Sequence, residues 1–446
     1  MTARMKAGAV SLAAAAMLVA CHIGGGYRIG GTVVGLRGTG LVIENNSGNS
    51  LKVDGNGTFQ FSSGVDQGGT YSVTVTTQPS DPVQTCLVHN GSGTIGNTDI
   101  TNVLVTCNRP GVLAYVANEA SNSISAYIIQ SNGSLAPVVD SPFASTGTTP
   151  VAAVVDPNGT YLYVANNASN SVSIYVIDLE TGALTSAGEP IPTGNGPFAV
   201  LVDPADQFLY VANKTDNTVS VYEIEAGGTA LEVSGSPYAV GNEPTSLAMD
   251  PGGNFLYVTN YLDGTVSAFS IEAGAGVLSP LGGSPFGADK GAVKIAVDPT
   301  GTLAYVSNEV SDNLSGYMLN PATGNLAPIS GFPLSTTSSP EGIAFDPGGS
   351  FMLVADVTAR NDLSSYLIAP STGSLSLTGT VASSTKSGLG VFPVDIEITP
   401  QGTFAYAVNE SSNTVSGFAV SASGALTPVP GSPFLTGTTP HAVALY

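Results

Sequence analysis

The sequence is short of charge, and above all of positive charge. Only 10% of its 446 residues are charged, against about 25% in an average globular protein. Lys and Arg number 11 and Asp and Glu number 32, which gives a formal net charge of −21. A nucleic-acid partner is excluded, because phosphate neutralisation needs clustered Lys and Arg. Disorder is excluded as well, since branched apolar and aromatic residues recur along the whole chain.

Long apolar runs are missing except near the N-terminus. Residues 7–20 are small and apolar and follow Arg4 and Lys6, a pattern typical of a signal peptide. The run is too short to cross a bilayer, which needs about 20 apolar residues. It ends in Leu18-Val19-Ala20-Cys21, which resembles the lipobox of bacterial lipoproteins.

The lipobox resemblance implies a signal peptide at residues 1–20, cleaved before Cys21, and a short linker at residues 21–25. An acylated Cys21 would anchor the chain in the bacterial cell envelope, at the outer membrane or on the cell surface, with the membrane as a partner. The alternative is an ordinary secretory signal followed by an incidental cysteine. Both alternatives predict an exported protein.

Cysteine is scarce, with three in the chain. If Cys21 carries lipid, Cys86 and Cys107 are left, and both lie in one small region of an exported protein. A disulfide between them is therefore predicted. A zinc site is not, because two isolated cysteines with His89 nearby match no zinc-binding pattern.

Residues 26–108 are predicted to form a small β-sandwich. Alternation such as Tyr71-Ser72-Val73-Thr74-Val75 is typical of a half-buried strand. Seven such strands are predicted, at residues 27–36, 40–44, 50–53, 58–61, 70–77, 85–89 and 100–107. The segment resembles the Ig-like or transthyretin-like modules that precede larger domains in bacterial surface proteins, which implies a role in spacing or adhesion.

The rest of the chain, residues 109–446, repeats one pattern seven times. Its centre is Tyr-Val-Ala-Asn or a close variant, spaced by 47 or 48 residues and by 53 before the last copy. The copies are residues 115–118, 163–166, 210–213, 257–260, 305–308, 353–356 and 406–409. Most copies follow a turn such as Asp250-Pro251-Gly252-Gly253 and precede an alternating strand.

A period of about 40–50 residues with four short strands is typical of a β-propeller blade. The seven copies therefore predict an all-β fold, a seven-bladed β-propeller preceded by the small sandwich. The chain enters the propeller at the second strand of a blade and ends on an unattached strand at residues 441–445. The two ends are expected to complete one blade together, which closes the ring and leaves only short edges.

The repeated Tyr-Val-x-Asn and Asp-Pro-x-Gly elements resemble those of the YVTN-repeat propellers and the wider seven-bladed lactonase family, which includes 6-phosphogluconolactonase-like enzymes. The resemblance covers residues 109–446 and implies lactone hydrolysis at the central channel. The matching residues are scaffold, because Tyr packs between blades and Asn ends a strand. They therefore indicate the fold more strongly than the activity.

Polar residues at the start of the innermost strands are the candidates for chemistry. Four successive blades bring Lys294, Glu341, Asp395 and His441 to one mouth of the channel. In a lactonase, His441 or Glu341 would activate water, and Lys294 would stabilise the developing oxyanion. The alternative is a solvated channel mouth with incidental charge.

The sequence departs from the lactonase pattern at this mouth. One blade of the family begins Pro-Arg-His, where this chain has Ala292-Val293-Lys294. Asp395 stands where the family often has Glu, and Glu410 where it often has Arg. From residue 110 onward the chain has 27 acidic and five basic residues, so an anionic substrate is disfavoured.

The sequence alone therefore favours a binding scaffold. The propeller would present a rigid disc to an envelope protein, a glycan or a small molecule, with the sandwich as a stalk. A lactonase-type hydrolase using Lys294, Glu341, Asp395 and His441 is the alternative, and a purely structural protein is a third. No cofactor and no metal are predicted, and the protein is expected to be a monomer.

Overall fold

The computed structural model describes residues 26–34, 36, 39–80, 85–108, 113–179, 181–225, 227–336, 338–357, 361–382 and 388–446. The predicted signal peptide, Cys21, Arg360 and Lys386 lie outside the described residues. Regular structure in the described part of the chain is all β-strand, and no helix there could cross a membrane. The predicted all-β fold class is confirmed. The chain divides into two compact units, Met1–Pro110 and Gly111–Tyr446.

The small unit is built from two four-stranded sheets. Its strands are β1 (Ile29–Val34), β2 (Leu41–Asn45), β3 (Asn49–Val53), β4 (Gly57–Gln60), β5 (Thr70–Thr77), β6 (Thr85–His89), β7 (Ser92–Thr94) and β8 (Ile100–Asn108). One sheet has the order β4-β1-β8-β6 and the other β3-β2-β5-β7. Cys86 and Cys107 lie opposite each other on β6 and β8 and form the predicted disulfide. Strand β7 was not predicted, because three exposed residues are too few to show alternation.

The larger unit consists of seven antiparallel sheets, the blades, whose strands we call a to d in chain order, with strand a at the channel. Blade one has β9 (Leu113–Asn118), β10 (Ser123–Ile129), β11 (Leu135–Pro137) and β12 (Phe143–Ala144). Blade two has β13 (Pro150–Val155), β14 (Tyr161–Asn166), β15 (Ser171–Ile177), β16 (Leu184–Ser186) and β17 (Ile191–Pro192). Blade three has β18 (Pro197–Val202), β19 (Phe208–Asn213), β20 (Thr218–Ile224), β21 (Ala230–Glu232) and β22 (Tyr238–Ala239).

The remaining blades follow the same plan. Blade four has β23 (Pro244–Met249), β24 (Phe255–Asn260), β25 (Thr265–Ile271), β26 (Leu278–Pro280) and β27 (Phe286–Gly287). Blade five has β28 (Ala292–Val297), β29 (Leu303–Asn308), β30 (Asn313–Leu319), β31 (Leu326–Pro328) and β32 (Leu334–Ser335). Blade six has β33 (Pro340–Phe345), β34 (Phe351–Asp356), β35 (Asp362–Ile368) and β36 (Leu375–Ala382). Blade seven has β37 (Pro393–Ile398), β38 (Phe404–Asn409), β39 (Thr414–Val420), β40 (Leu426–Pro428) and β41 (Phe434–Leu435), and β42 (Pro440–Leu445) follows it.

Strand β42 belongs to blade one, although it is the last strand of the chain. It pairs with β9, and Pro440 lies opposite Asn118 as Pro150 lies opposite Asn166 in blade two. Both ends of the larger unit therefore contribute to a single sheet. In six blades strand d consists of two short segments that both pair with strand c, whereas in blade six it is the continuous strand β36.

The Asp-Pro turns are held by the aspartate side chain. The backbone N–H groups of Asn254 and Phe255 donate to Oδ1 of Asp250 at 2.7 and 2.6 Å. Thr399 replaces Asp in the last such turn, and its Oγ1 accepts from the N–H of Phe404 at 3.2 Å. These bonds close the a–b hairpins and so fix the register that brings the a strands to the channel.

Six of the seven blades carry the repeated tyrosine on strand b, and all six of these side chains are fully buried. Four hydroxyls donate to a glycine carbonyl in the c–d hairpin of the following blade: Tyr115 to Gly182 (3.1 Å), Tyr257 to Gly324 (2.7 Å), Tyr305 to Gly373 (2.6 Å) and Tyr406 to Gly133 (2.8 Å). The hydroxyls of Tyr163 and Tyr210 are buried without a partner. Four interfaces between blades are therefore latched by the same hydrogen bond.

The asparagine that ends strand b ties it to strand c, but blade six differs. In blade four, Nδ2 of Asn260 donates to Oγ of Ser267 at 2.9 Å. Blade six has Asp356 instead, opposite Asp362, and both carboxyls are buried. Oδ1 of each has no hydrogen-bond partner, and burial together with the charge of Asp362 raises the pKa of Asp356. Asp356 therefore carries a proton at neutral pH.

Candidate functional site

The a strands of the blades surround a cavity of about 590 Å³ in the middle of the propeller. This volume lies within the range of about 300–1,000 Å³ that is usual for small-molecule sites. The four residues singled out in the sequence all line it, namely Lys294, Glu341, Asp395 and His441. Three further carboxylates, Glu309, Glu397 and Glu410, line the same cavity, as does Lys214.

Lys294 and Asp395 form an ion pair across the wall of the cavity. Nζ of Lys294 donates to Oδ1 of Asp395 at 2.9 Å, and the backbone N–H of Val443 donates to Oδ2 at 3.1 Å. Asp395 is almost fully buried, whereas 33% of the Lys294 side chain remains exposed. Each oxygen of the carboxylate thus accepts one hydrogen bond. The ammonium has further N–H groups that can donate hydrogen bonds to a ligand.

The charge of Lys294 is maintained by its neighbours. Burial alone would lower the pKa of this lysine, but the negative charges of Asp395 and Glu397 raise it above its ordinary value. Lys294 is therefore a permanent cation at the cavity wall. An ammonium in this position can stabilise an oxyanion of a bound ligand.

Glu341 is a carboxyl of the cavity that resists ionisation near neutral pH. Its pKa is raised to about 8, first by burial and then by the negative charges of Glu309 and Glu410, and Lys294 offsets only part of this. Glu341 therefore carries a proton at neutral pH and can act as an acid. Three neighbouring blades supply these three glutamates, since Glu309 and Glu410 follow β29 and β38 directly.

His441 lies on another part of the wall, on strand a of blade one. Its Nδ1 is 2.8 Å from the carbonyl oxygen of Val151, and its ring meets Phe198 edge to face at 5.2 Å. Because a carbonyl can only accept, Nδ1 carries a proton, and in the neutral form of the ring the lone pair is therefore on Nε2. His441 thus offers a basic nitrogen, but no hydrogen bond or ion pair of the described residues joins it to Lys294, Glu341 or Asp395.

Lys214 forms a second charged feature of the cavity. Its ammonium lies 4.6 Å from the ring centre of Phe198 and 5.6 Å from that of Tyr261, and 3.6 Å from the carboxylate of Glu243. Tyr261 in turn donates to Glu309 at 2.8 Å. Aromatic rings and a carboxylate therefore hold this cation in place. Lys214 belongs to blade three and Lys294 to blade five, so blade four lies between them.

Sequence reasoning missed Glu397 and the cluster around Lys214. Glu397 could have been found, because it is two residues after Asp395 on strand a, and alternate residues of a strand face the same side. Lys214 and Tyr261 follow the asparagine that ends strand b, the position that Glu309 and Glu410 also occupy. Because the position after this asparagine is equivalent in every blade, it predicts that the side chains at this position all lie at the same mouth of the channel.

No group of three or more His, Cys, Asp or Glu in the described residues is arranged to hold a metal ion. The cavity instead combines a fixed ammonium, a protonated carboxyl and an imidazole with a free nitrogen. Such a set can polarise a carbonyl, protonate a leaving oxygen and take a proton from water.

Several solved structures share the fold over most of this chain. A candidate 6-phosphogluconolactonase of Bacteroides uniformis is 18% identical, with a TM-score of 0.66 over 76% of this chain and 100% of that one. The periplasmic gluconolactonase of Pseudomonas aeruginosa is 18% identical, with a TM-score of 0.62 over 75% and 98%. Hydrazine synthase of Kuenenia stuttgartiensis has a TM-score of 0.54 at 18% identity over 70% and 94%, so the likeness at this level concerns the fold alone.

No curated protein sequence matches this chain closely enough to count as a relative. The family model of the lactonases with a seven-bladed β-propeller, however, matches residues 72–201, 191–294 and 278–388. These matches cover well over half of the 446 residues. The chain therefore belongs to the seven-bladed β-propeller lactonase family.

Proposed function

We propose that this protein hydrolyses lactones in the central cavity of its propeller. The sequence alone favours a binding scaffold, but membership of the lactonase family favours the alternative, a hydrolase. The observation that carries the proposal is the Lys294–Asp395 ion pair beside the protonated Glu341, in a cavity large enough for a small ligand.

Lys294 is assigned to the carbonyl oxygen of the lactone. Attack by water turns this oxygen into an oxyanion, and a fixed cation lowers the energy of that state more than it lowers the energy of the neutral ester. Asp395 acts as a positioning residue, because it holds the ammonium without filling its remaining N–H groups.

Glu341 and His441 are assigned to the two proton transfers. The lone pair on Nε2 of His441 takes a proton from the attacking water while the new carbon–oxygen bond forms. When the ring carbon–oxygen bond breaks, the protonated Glu341 gives its proton to the leaving oxygen. The product is the open hydroxy acid, and one proton then returns from His441 to Glu341, so the enzyme is restored.

A lactone-hydrolysis assay tests the proposal. The substrates would be glucono-δ-lactone and a series of unsubstituted γ- and δ-lactones, followed by acid release and corrected for spontaneous opening. We expect the wild type to exceed the blank, and His441→Ala and Lys294→Met to lose at least about 100-fold in kcat/KM. Lys290→Met is the matched control, because Lys290 lies near Lys294 in the sequence but does not line the cavity.

Two outcomes would overturn the proposal. One is a wild type that opens none of these lactones faster than buffer. The other is a His441→Ala or Lys294→Met variant as active as Lys290→Met. The first outcome would favour a binding role for the propeller. The second would indicate a hydrolase whose active site lies elsewhere in the protein.

We further propose that the chain is exported and held in the bacterial cell envelope by a lipid on Cys21. The signal-like residues 7–20, the Leu-Val-Ala-Cys motif and a disulfide in the mature part support this location. Labelled palmitate is expected to enter the wild type and not a Cys21→Ser variant. Equal labelling of both would contradict the anchor.

A further inference from the structure

The interface between blades six and seven lacks the tyrosine found at every other interface. Blade six has Leu353 at that position, so no strand-b hydroxyl reaches the c–d hairpin of blade seven. The glycine of that hairpin is Gly424, which corresponds to Gly324 and Gly373 in blades five and six. Its carbonyl therefore receives no bond of the kind that Tyr257 and Tyr305 make.

Strand d of blade six also has smaller side chains than blade seven at two positions that face the next blade. In the aligned blades, Thr378 occupies the position of Ile329 in blade five and of Val429 in blade seven. Both of those residues are buried. Val381 lies opposite Leu363, where blade seven places Phe434 opposite Val415. In blade seven, Tyr406, Val429 and Phe434 all lie around Gly417, the counterpart of Ser365, and blade six has smaller side chains at all three positions.

A cleft of about 240 Å³ occupies this place. Its walls are formed by Leu363, Ser365, Thr378, Val381, Gly424 and Leu426, among others. Apolar cavities of about 150 Å³ in proteins are large enough for benzene. The cleft therefore has room for one six-membered ring beside the aliphatic side chains of Leu363, Val381 and Leu426. The hydroxyl of Thr378 donates to the carbonyl and hydroxyl oxygens of Ser365 in its wall.

The cleft is separate from the cavity assigned to lactone hydrolysis. Its residues belong to strands c and d of blade six and to the c–d hairpin of blade seven, whereas the cavity is lined by a strands and the turns after b strands. No residue is common to both. A ligand in the cleft would leave Lys294 and Glu341 accessible.

We propose that this cleft is a binding site for a small phenol. The ring would occupy the space that Tyr406 and Phe434 fill in blade seven, and the hydroxyl would donate to the carbonyl of Gly424. The other blades of this protein supply the argument, because their own tyrosines make this contact with Gly133, Gly182, Gly324 and Gly373. The ligand thus reproduces a side chain that blade six alone does not have.

The probe is p-cresol, the tyrosine side chain without its backbone, added to the full mature protein. We expect saturable binding in the millimolar range by calorimetry and a rise in Tm with concentration. Toluene has the same ring without the hydroxyl and should bind at least about 5-fold more weakly. The double variant Thr378→Ile/Val381→Phe, which carries the residues of blades five and seven, should lose at least about 10-fold in affinity.

The control variant is Thr427→Ile, an exposed strand-d residue of blade seven outside the cleft, which should bind p-cresol as the wild type does. The wild-type comparison of p-cresol with toluene tests the proposal even if the double variant does not fold. Absence of saturable p-cresol binding to the wild type, or equal affinity for toluene, would overturn it. So would a folded double variant that binds as tightly as Thr427→Ile.

Discussion

The ammonium of Lys294 lies 2.9 Å from Oδ1 of Asp395, although the two residues are 101 positions apart and belong to the a strands of blades five and seven. Oδ2 of the same carboxylate accepts the N–H of Val443 on the closing strand. One buried carboxylate thus connects blades five, seven and one at the channel wall and fixes the cation in the cavity.

Asp395→Asn is expected to weaken both the fold and the activity. Removing one partner of a largely buried ion pair leaves the other charge uncompensated, and because water reaches part of Lys294 we expect a loss of about 1–3 kcal/mol. Urea unfolding measures this loss, and lactone hydrolysis should fall with it. The control is Asp54→Asn, which breaks the exposed Lys52–Asp54 pair and should change little. Equal stability of the two variants would refute the role of Asp395.

Asp356→Asn is expected to stabilise the propeller, most clearly at alkaline pH. The pKa of Asp356 is higher in the folded than in the unfolded chain. The folded chain therefore keeps a proton on Asp356 at pH values above about 4, at which the unfolded chain releases it. The contribution of Asp356 to the free energy of unfolding therefore decreases as the pH rises toward the raised pKa. Asn does not titrate, so the variant lacks this decrease. We expect a gain of about 1–3 kcal/mol at pH 8 and a smaller gain at pH 5.

Other acids titrate in the same range, so the comparison needs a matched variant. The pKa values of Glu341 and Glu397 are also raised, mainly by burial, and both residues remain in Asp356→Asn. Asn409→Asp places the blade-six residue in blade seven and should destabilise more at pH 8 than at pH 5. A pH-independent effect of both substitutions would show that the pKa of Asp356 is not raised by folding.

The tyrosine latches allow an internal comparison. Tyr257→Phe removes a buried hydrogen bond to Gly324 and is expected to cost about 1 kcal/mol in the free energy of unfolding. Tyr210→Phe removes a buried hydroxyl without a partner and should be neutral or stabilising. Chemical denaturation of the two variants measures the difference, and equal losses would argue against the latch.

Reduction of the disulfide is expected to affect the small unit alone. The bridge closes a loop with a sequence separation of 21, for which chain entropy predicts about 3 kcal/mol of stabilisation. Cys86→Ser/Cys107→Ser should therefore lower the unfolding transition of residues 26–108. The propeller contains no cysteine and should unfold as before. A loss in the propeller transition would contradict this independence.

The repeats made most of the fold predictable. The regular spacing and the Asp-Pro turns define strands a, b and c, because each turn residue has one local bonding role. Strand d was less predictable, since its two short segments pair through only two or three residues each. The divergence of blade six is visible in the sequence as Leu353, Asp356 and a longer repeat, but its cleft depends on packing between two blades.

The candidate site was predictable in part. The position of Lys294, Glu341, Asp395 and His441 around one cavity follows from their equivalent places on strands a. Contacts that cross between blades do not follow from the repeat, and so the partner of Lys294 and the bond from His441 to Val151 needed the structure. Their assignment to lactone hydrolysis is still a prediction.

The pH dependence of lactone hydrolysis by wild type and Glu341→Gln tests the central claim most directly. The pKa of Glu341 is about 8, and the proposed reaction needs its protonated form, so wild-type kcat should fall as the pH rises through about 8. Glu341→Gln should lose at least about 100-fold and show no such fall, while the exposed Glu272→Gln should match the wild type. A Glu341→Gln variant with the wild-type rate and the same falling limb would contradict the account.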